Sequence, residues 1–178
     1  MSFYVIQVQT GLEDRFLGVA KRTCGGLTER LLWPRRQLRV RRKGKWLSTR
    51  APIFPGYLFA QLEAVDADSY WSLKRLPGFL RFLESNTNIV PLNPPDTALL
   101  GHFLSFGQIV GSSEAWFDEN HRIRVISGPL KGMEGRIVRV DRRKGRARVR
   151  LELYQESFLI DFAFHSLEPE REPAAKAP

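Results

Sequence analysis

The apolar positions of this chain change period several times, and each change marks an element. Phe3 to Gln9 is rich in β-branched and aromatic residues and predicts a strand. Thr10-Gly11 then opens a helix over Leu12 to Thr23, where Leu12, Phe16, Val19 and Ala20 fall at helical spacing. Glu13 and Asp14 suit its positive N-terminal end, and Cys24-Gly25-Gly26 stops it. Leu38 and Val40 alternate with Arg39 and Arg41, which predicts a strand with one wet face. Arg42-Lys43-Gly44-Lys45 reads as a hairpin tip, with Trp46-Leu47 starting the return strand. Phe54-Pro55-Gly56-Tyr57 leads into the apolar run Leu58 to Leu62, a central strand. A second helix is expected over Asp66 to Arg75, ended by Pro77-Gly78, and a further strand over Phe79 to Leu83. Asn93-Pro94-Pro95-Asp96 starts a third helix over Thr97 to Phe106.

From residue 108 the pattern changes. Gly111-Ser112-Ser113 has the composition of a flexible connection and Asp118-Glu119-Asn120 is polar, so 108–120 reads as a linker, with Trp116 and Phe117 packed on one of its neighbours. After His121 the chain alternates with a period of two. Ala147, Val149, Leu151 and Leu153 share one face of a strand whose other face carries arginines. Phe158, Ile160, Phe162 and Phe164 share a face of another and read as core. Several short strands in so short a stretch predict a small barrel. The expected organisation is an α+β domain over 1–107, an antiparallel sheet with flanking helices; a linker over 108–120; a small all-β, SH3-like barrel over 121–168; and a disordered tail over 169–178.

Charge sharpens this picture. The formal net charge of +9 favours polyanionic partners, through release of counterions from phosphates. Eight of the basic residues, Arg35, Arg36, Arg39, Arg41, Arg42, Lys43, Lys45 and Arg50, lie in a segment without an acid. Another eight, Arg136, Arg139, Arg142, Arg143, Lys144, Arg146, Arg148 and Arg150, crowd a second hairpin countered only by Asp141. Arg146, Arg148 and Arg150 leave one strand face together, and an anionic partner would relieve their repulsion. A solvated face is the alternative for the first cluster, and a solubility or protein-docking role for the second. The candidate nucleic-acid contacts are Arg41, Arg42, Lys43 and Lys45 on the first hairpin, and Lys131 with the second cluster.

Other chemistry finds little support. No apolar run approaches the roughly 20 residues of a spanning helix, and no basic amphipathic helix suggests a membrane surface. Met1 to Val8 has no basic n-region, and the single cysteine, Cys24, cannot form an internal disulfide, which fits a cytoplasmic protein. His102, His121 and His165 lie far apart, without metal-ligand spacing, and no Walker A loop, dinucleotide loop or nucleophile elbow occurs. We therefore expect no enzyme, no cofactor and no metal.

The stretch Val125-Ile126-Ser127-Gly128-Pro129-Leu130-Lys131-Gly132-Met133-Glu134-Gly135-Arg136-Ile137-Val138 closely resembles the KOW motif of SH3-like barrels in transcription and ribosomal proteins. The N-terminal aromatic strand, the basic hairpin, Phe54-Pro55-Gly56-Tyr57 and Pro77-Gly78-Phe79 resemble the N-terminal domain of the NusG family, so the resemblance covers nearly the whole chain. Within that family, Gly128 to Gly135 and the arginine-rich hairpin look most similar to LoaP-type specialised paralogues. The resemblance implies a monomeric transcription elongation and processive antitermination factor. Its N-terminal domain would grip the clamp helices of the RNA polymerase largest subunit through Phe3, Tyr4, Phe54 and Tyr57, and bridge the cleft near DNA. Phe3 stands where the family often has Trp, so it lacks an indole donor. The KOW domain would bind nascent RNA, a hairpin in particular. Two alternatives stay open: a housekeeping adaptor that couples polymerase to the termination helicase or a ribosomal protein, and a ribosome-associated KOW protein.

Overall fold

A computed structural model describes residues 1–167. They form two units. The first contains 1–36, 50–110 and 152–156; the second contains 37–49, 111–151 and the residues from 157 onward.

In the first unit, a four-stranded sheet is built around β1 (Ser2–Val8). Its other members are β2 (Leu31–Leu32), β5 (Tyr57–Leu62) and β6 (Phe79–Phe82), in the order β2-β5-β1-β6. β1 runs antiparallel to β5, Ser2 opposite Leu62 and Gln7 opposite Tyr57, and antiparallel to β6 on its other edge. Consecutive residues Tyr4, Val5 and Ile6 are all buried, so both faces of β1 are covered. That explains why this segment reads as a continuous apolar run. Helix α1 (Glu13–Thr23) buries Phe16 and Ala20 against Tyr4, Ile6, Leu58 and Phe82. Helix α2 (Ala67–Lys74) is capped by Asp66, whose carboxylate accepts the Ser69 amide at 2.8 Å. Helix α3 (Pro94–Leu104) is capped by Asn93, which accepts the Asp96 amide at 2.8 Å. It starts at Pro94 rather than at the expected Thr97, because prolines fit the first helical positions, where the missing N–H costs nothing. The short strand β7 (Ile109–Val110) pairs in parallel with Arg35 and Arg36, the first residues of β3 (Arg35–Arg42).

Glu13 has a larger part than its place at a helix start implies. Its side chain is buried at 3% exposure. One carboxylate oxygen accepts the Gly11 amide at 2.7 Å and the other accepts the Gly56 amide at 2.8 Å. The end of β1, the first turn of α1 and the Phe54-to-Tyr57 turn are thereby joined. Gly56 has φ of +82°, and a Cβ there would lie 2.9 Å from the Thr10 hydroxyl, so this turn requires glycine.

The second unit holds the distal part of the hairpin of β3 and β4 (Lys45–Pro52), and a five-stranded sheet. Its strands are β8 (Ser113–Phe117), β9 (Ile123–Ser127), β10 (Ile137–Asp141), β11 (Arg146–Leu153) and β12 (Glu156–Ser166), ordered β10-β11-β12-β8-β9. Ala147, Val149, Leu151 and Leu153 are buried, as their alternation predicts. Ile160, Phe162 and Phe164 are buried as well, and Phe158 is half-buried. The stretch 108–120, read from its composition as a linker, contains β7 and β8. β8 is an internal strand, parallel to β12 and antiparallel to β9. Its Ser113 is fully buried, and the Ser113 hydroxyl accepts the Leu130 amide at 2.9 Å. Gly128 (φ +88°) passes so close that a Cβ would lie 2.6 Å from the Ser113 Cα. The small residues that suggest flexibility are used here for close backbone approach. The tail expected over 169–178 lies outside the described residues.

Glu13→Ala is expected to leave two amides without their acceptor and to lower unfolding free energy by about 2 kcal/mol or more. Gly128→Ala should cost more than about 1 kcal/mol, because alanine is incompatible with this positive φ. Urea unfolding followed by circular dichroism measures both, and wild-type stability in either variant would contradict the packing described above.

Candidate nucleic-acid interface

The first basic hairpin turns at Lys43 (φ 48°) and Gly44 (φ 79°), a two-residue connection whose twist matches that of the flanking strands. Arg41, Arg42, Lys43 and Lys45 are all exposed at its tip. The Arg39 guanidinium stacks over Trp46 at 5.4 Å from the ring centre.

On the second hairpin, Asp141 organises the turn between β10 and β11. Its carboxylate accepts the Lys144 amide at 2.9 Å and lies 3.8 Å from the Lys144 ammonium. Gly145 lies so close to β12 that a Cβ would sit 2.7 Å from the Phe164 carbonyl oxygen. The Arg142 guanidinium lies 3.6 Å above the Phe117 ring centre. Lys131, Arg136, Arg139, Arg142, Arg143, Lys144 and Arg150 are exposed, while Arg146 and Arg148 are partly buried.

The arginines of β11 differ in their surroundings. Arg148 forms a two-pronged pair with Asp161, Nε to Oδ1 at 2.7 Å and Nη2 to Oδ2 at 3.1 Å. Those bonds, and the charge of Asp161, raise the guanidinium pKa above its ordinary value. Arg148 also faces Arg139 directly across the β10–β11 ladder, a like-charge juxtaposition that Asp161 relieves. Sequence reasoning counted Asp141 alone as counter-charge. Asp161 is distant in sequence and reaches Arg148 only because β12 lies beside β11. Arg146 donates from Nη2 to the Arg39 carbonyl at 2.9 Å.

The four aromatic residues expected to contact polymerase occupy different settings. Phe54 is 1% exposed and packs edge-to-face on Phe59 and Phe103. Tyr4 and Tyr57 are buried, and Phe3 is half-buried. The Tyr57 hydroxyl donates to the Glu156 carboxylate at 2.6 Å. Burial raises the Tyr57 pKa above the ordinary value of 10.0, the bond and charge of Glu156 raise it further, and Arg81 opposes them. Exposed apolar surface in the first unit comes instead from Met1, Trp71, Leu80 and Phe106. No periodic signal distinguished these from core residues. Among the described residues, no helix is long and apolar enough to cross a membrane.

Residues 1–100 match the family described as transcription termination factor nusG, and residues 122–152 match the KOW motif. The chain belongs to the NusG family. Members of this family are non-enzymatic transcription factors that bind RNA polymerase. The chain is similar to the transcription termination/antitermination protein NusG of Thermus thermophilus, 28% identical over 70% of this chain and 71% of the relative. It is also similar to the NusG of Borreliella burgdorferi, 21% identical over 94% of this chain and 97% of that one. The fold is shared with a solved structure titled "Domain interaction in Thermotoga maritima NusG", with a TM-score of 0.57 at 16% identity, covering 91% of this chain and 93% of the other. The two matched segments of this NusG-family chain bracket the stretch that contains β7 and β8.

The Tyr57 environment predicts a titration. A raised folded-state pKa contributes stability that is complete below the unfolded tyrosine value of about 10 and is lost as pH rises through the folded value. Ultraviolet absorbance of phenolate should therefore show Tyr57 ionising later than an exposed tyrosine, alongside Tyr154, which burial and Glu84 also shift upward. Tyr57→Phe should remove one late component. If it removes an ordinary one instead, the hydroxyl is not held as described.

Proposed function

We propose that this NusG-family protein is a specialised, LoaP-type elongation factor acting in the cytoplasm. Its N-terminal domain would bind RNA polymerase at the clamp helices of the largest subunit, and its KOW domain would bind a hairpin in the nascent RNA, giving processive antitermination or pause suppression. The observation that carries this reading is the β10–β11 hairpin. Its cations outnumber Asp141 and Asp161, and Arg142, Arg143 and Arg150 stay exposed after those acids and their partners Lys144 and Arg148 are accounted for. A cationic edge of this kind can track the phosphates of a folded RNA. Arg41, Arg42, Lys43 and Lys45 form a second exposed tip that can reach nucleic acid near the polymerase cleft.

Phe3, Tyr4, Phe54 and Tyr57 are proposed to support the polymerase contact. Phe54 and Tyr4 do so from beneath, by shaping the face. Tyr57 does so by exchanging its bond with Glu156 for a polymerase acceptor. A second reading is the housekeeping adaptor, in which the KOW domain docks on a ribosomal or termination protein. It draws support from the names of the relatives and from Arg148, whose charge is already matched by Asp161.

The full-length protein titrated with leader-RNA hairpins tests the choice. Reversing charge at Arg143 and Lys144 should weaken binding and flatten the slope of log K against log salt by about one per lost phosphate contact. Neutralising Arg148 should change that slope less. Tight binding to a ribosomal or termination protein, with no RNA affinity at low salt, would promote the adaptor reading. Tyr57→Ala is expected to weaken polymerase binding by about 1–3 kcal/mol if the side chain is an interface anchor. Normal polymerase affinity in a folded variant would remove Tyr57 from the surface.

A further inference from the structure

Within the second unit, a concave pocket of about 280 Å³ lies beside the exposed cationic edge. Arg39 and Trp46 from the β3–β4 hairpin line it, together with Arg142, Arg143, Lys144 and Arg146 from the β10–β11 turn. No acidic residue is among its lining residues, and among the described residues Lys144 is the lining cation that pairs with an acid, Asp141 at 3.8 Å.

Three features give this pocket a chemical bias. The Arg146 Nε is buried, with no hydrogen-bond partner among the described residues, while its Nη2 is anchored on the Arg39 carbonyl. The buried Nε is closed to a ligand unless the side chain shifts, but Arg146 lines the pocket, where the remainder of its guanidinium can meet an anionic oxygen. Arg142 is held over Phe117, and the Lys144 backbone is pinned by Asp141, so part of the cationic wall is preorganised. Finally, Trp46 is 49% exposed although it is the largest apolar side chain of the pocket. With Arg39 over one face of the ring at 5.4 Å from its centre, an exposed indole beside fixed cations is the pairing by which proteins hold an unstacked base next to its phosphate.

The geometry points to a binding site for a single-stranded RNA segment, with a phosphate at Arg146 and Lys144 and its base stacked on Trp46. This inference rests on the RNA-binding reading above and extends it. The side of the β10–β11 hairpin that carries Arg139 and Arg150, outside the pocket, would hold the duplex part of a hairpin, and the pocket would take the unpaired nucleotides flanking it. A duplex does not enter a concavity of this size, whereas a single nucleotide does. RNA recognition would then use both basic hairpins, which in sequence are two separate charge clusters.

The test uses the full-length protein and two RNAs, a blunt hairpin and the same hairpin with a short single-stranded extension, in fluorescence polarisation at low salt. The extended RNA should bind more tightly. Trp46→Ala should remove about tenfold in affinity for it, within the range for loss of one stacking aromatic, and leave the blunt hairpin unaffected. Trp46→Phe should restore most of the difference. Arg146→Gln should likewise act on the extended RNA more than on the blunt one. Trp46 is exposed, so its variants should unfold at the wild-type temperature, which circular dichroism checks; the same measurement shows whether Arg146→Gln, which loses a bond to the Arg39 carbonyl, is still folded. Equal binding of both RNAs by the wild type, with no effect of Trp46→Ala, would overturn the pocket assignment and leave hairpin binding intact. Equal losses for both RNAs would assign Trp46 to hairpin contact and also overturn it. Absence of binding to either RNA would overturn the RNA reading itself and the pocket with it. Dependence on Trp46 for an acidic peptide but not for RNA would reassign the pocket to a protein ligand.

Discussion

The N-terminal unit depends on one buried carboxylate. Glu13 accepts amides from Gly11 and from Gly56, groups that belong to two turns far apart in sequence. The Gly56 amide is buried and cannot obtain an acceptor from water, whereas Gly11 is exposed and its acceptor chiefly fixes the turn. By supplying both, Glu13 sets where β1 ends, where α1 begins and how the chain enters β5. The Phe54-Pro55-Gly56-Tyr57 turn can then place Phe54 in the core and Tyr57 at its margin, with Gly56 at a positive φ that no other residue adopts as cheaply. The family-like aromatic motif is thus first a device of folding, and any contact it makes with polymerase is built on that geometry.

The second unit solves a different problem, which is to gather many cations on a small sheet. Repulsion between Arg139 and Arg148, paired across the β10–β11 ladder, is offset by Asp161 on the adjoining strand. Arg142 is held by the face of Phe117, and Asp141 holds the turn that carries Arg143 and Lys144. Acids are used sparingly and at the positions where they orient cations, so an excess of charge remains exposed. Arg142 and Arg148, already held, lose little conformational freedom when this surface binds a polyanion, whereas the exposed Arg143 and Arg150 have theirs still to lose. The close approach of Gly128 to Ser113 and of Gly145 to Phe164 keeps the sheet compact enough for this arrangement.

Most of the strands and helices, the two-part order and the KOW-like turn were legible in the sequence, because each rests on local periodicity, capping or turn chemistry; the short strands β2 and β7 and the internal strand β8 were not. The tip at Lys43-Gly44, the caps at Asp66 and Asn93 and the buried faces of β11 and β12 all follow from residues within a few positions of one another. Only the tertiary structure decided which long-range partners those elements meet. It made a buried strand of a Ser-rich segment, because Gly128 leaves room beside Ser113. It buried Glu13, which the sequence places at the N-terminal end of a helix. It matched Arg148 with Asp161, and it grouped Trp46 with arginines on a hairpin roughly a hundred residues away along the chain. Periodicity reports which face of an element is apolar, whereas pairing across the fold depends on strand order and register, which no local pattern encodes.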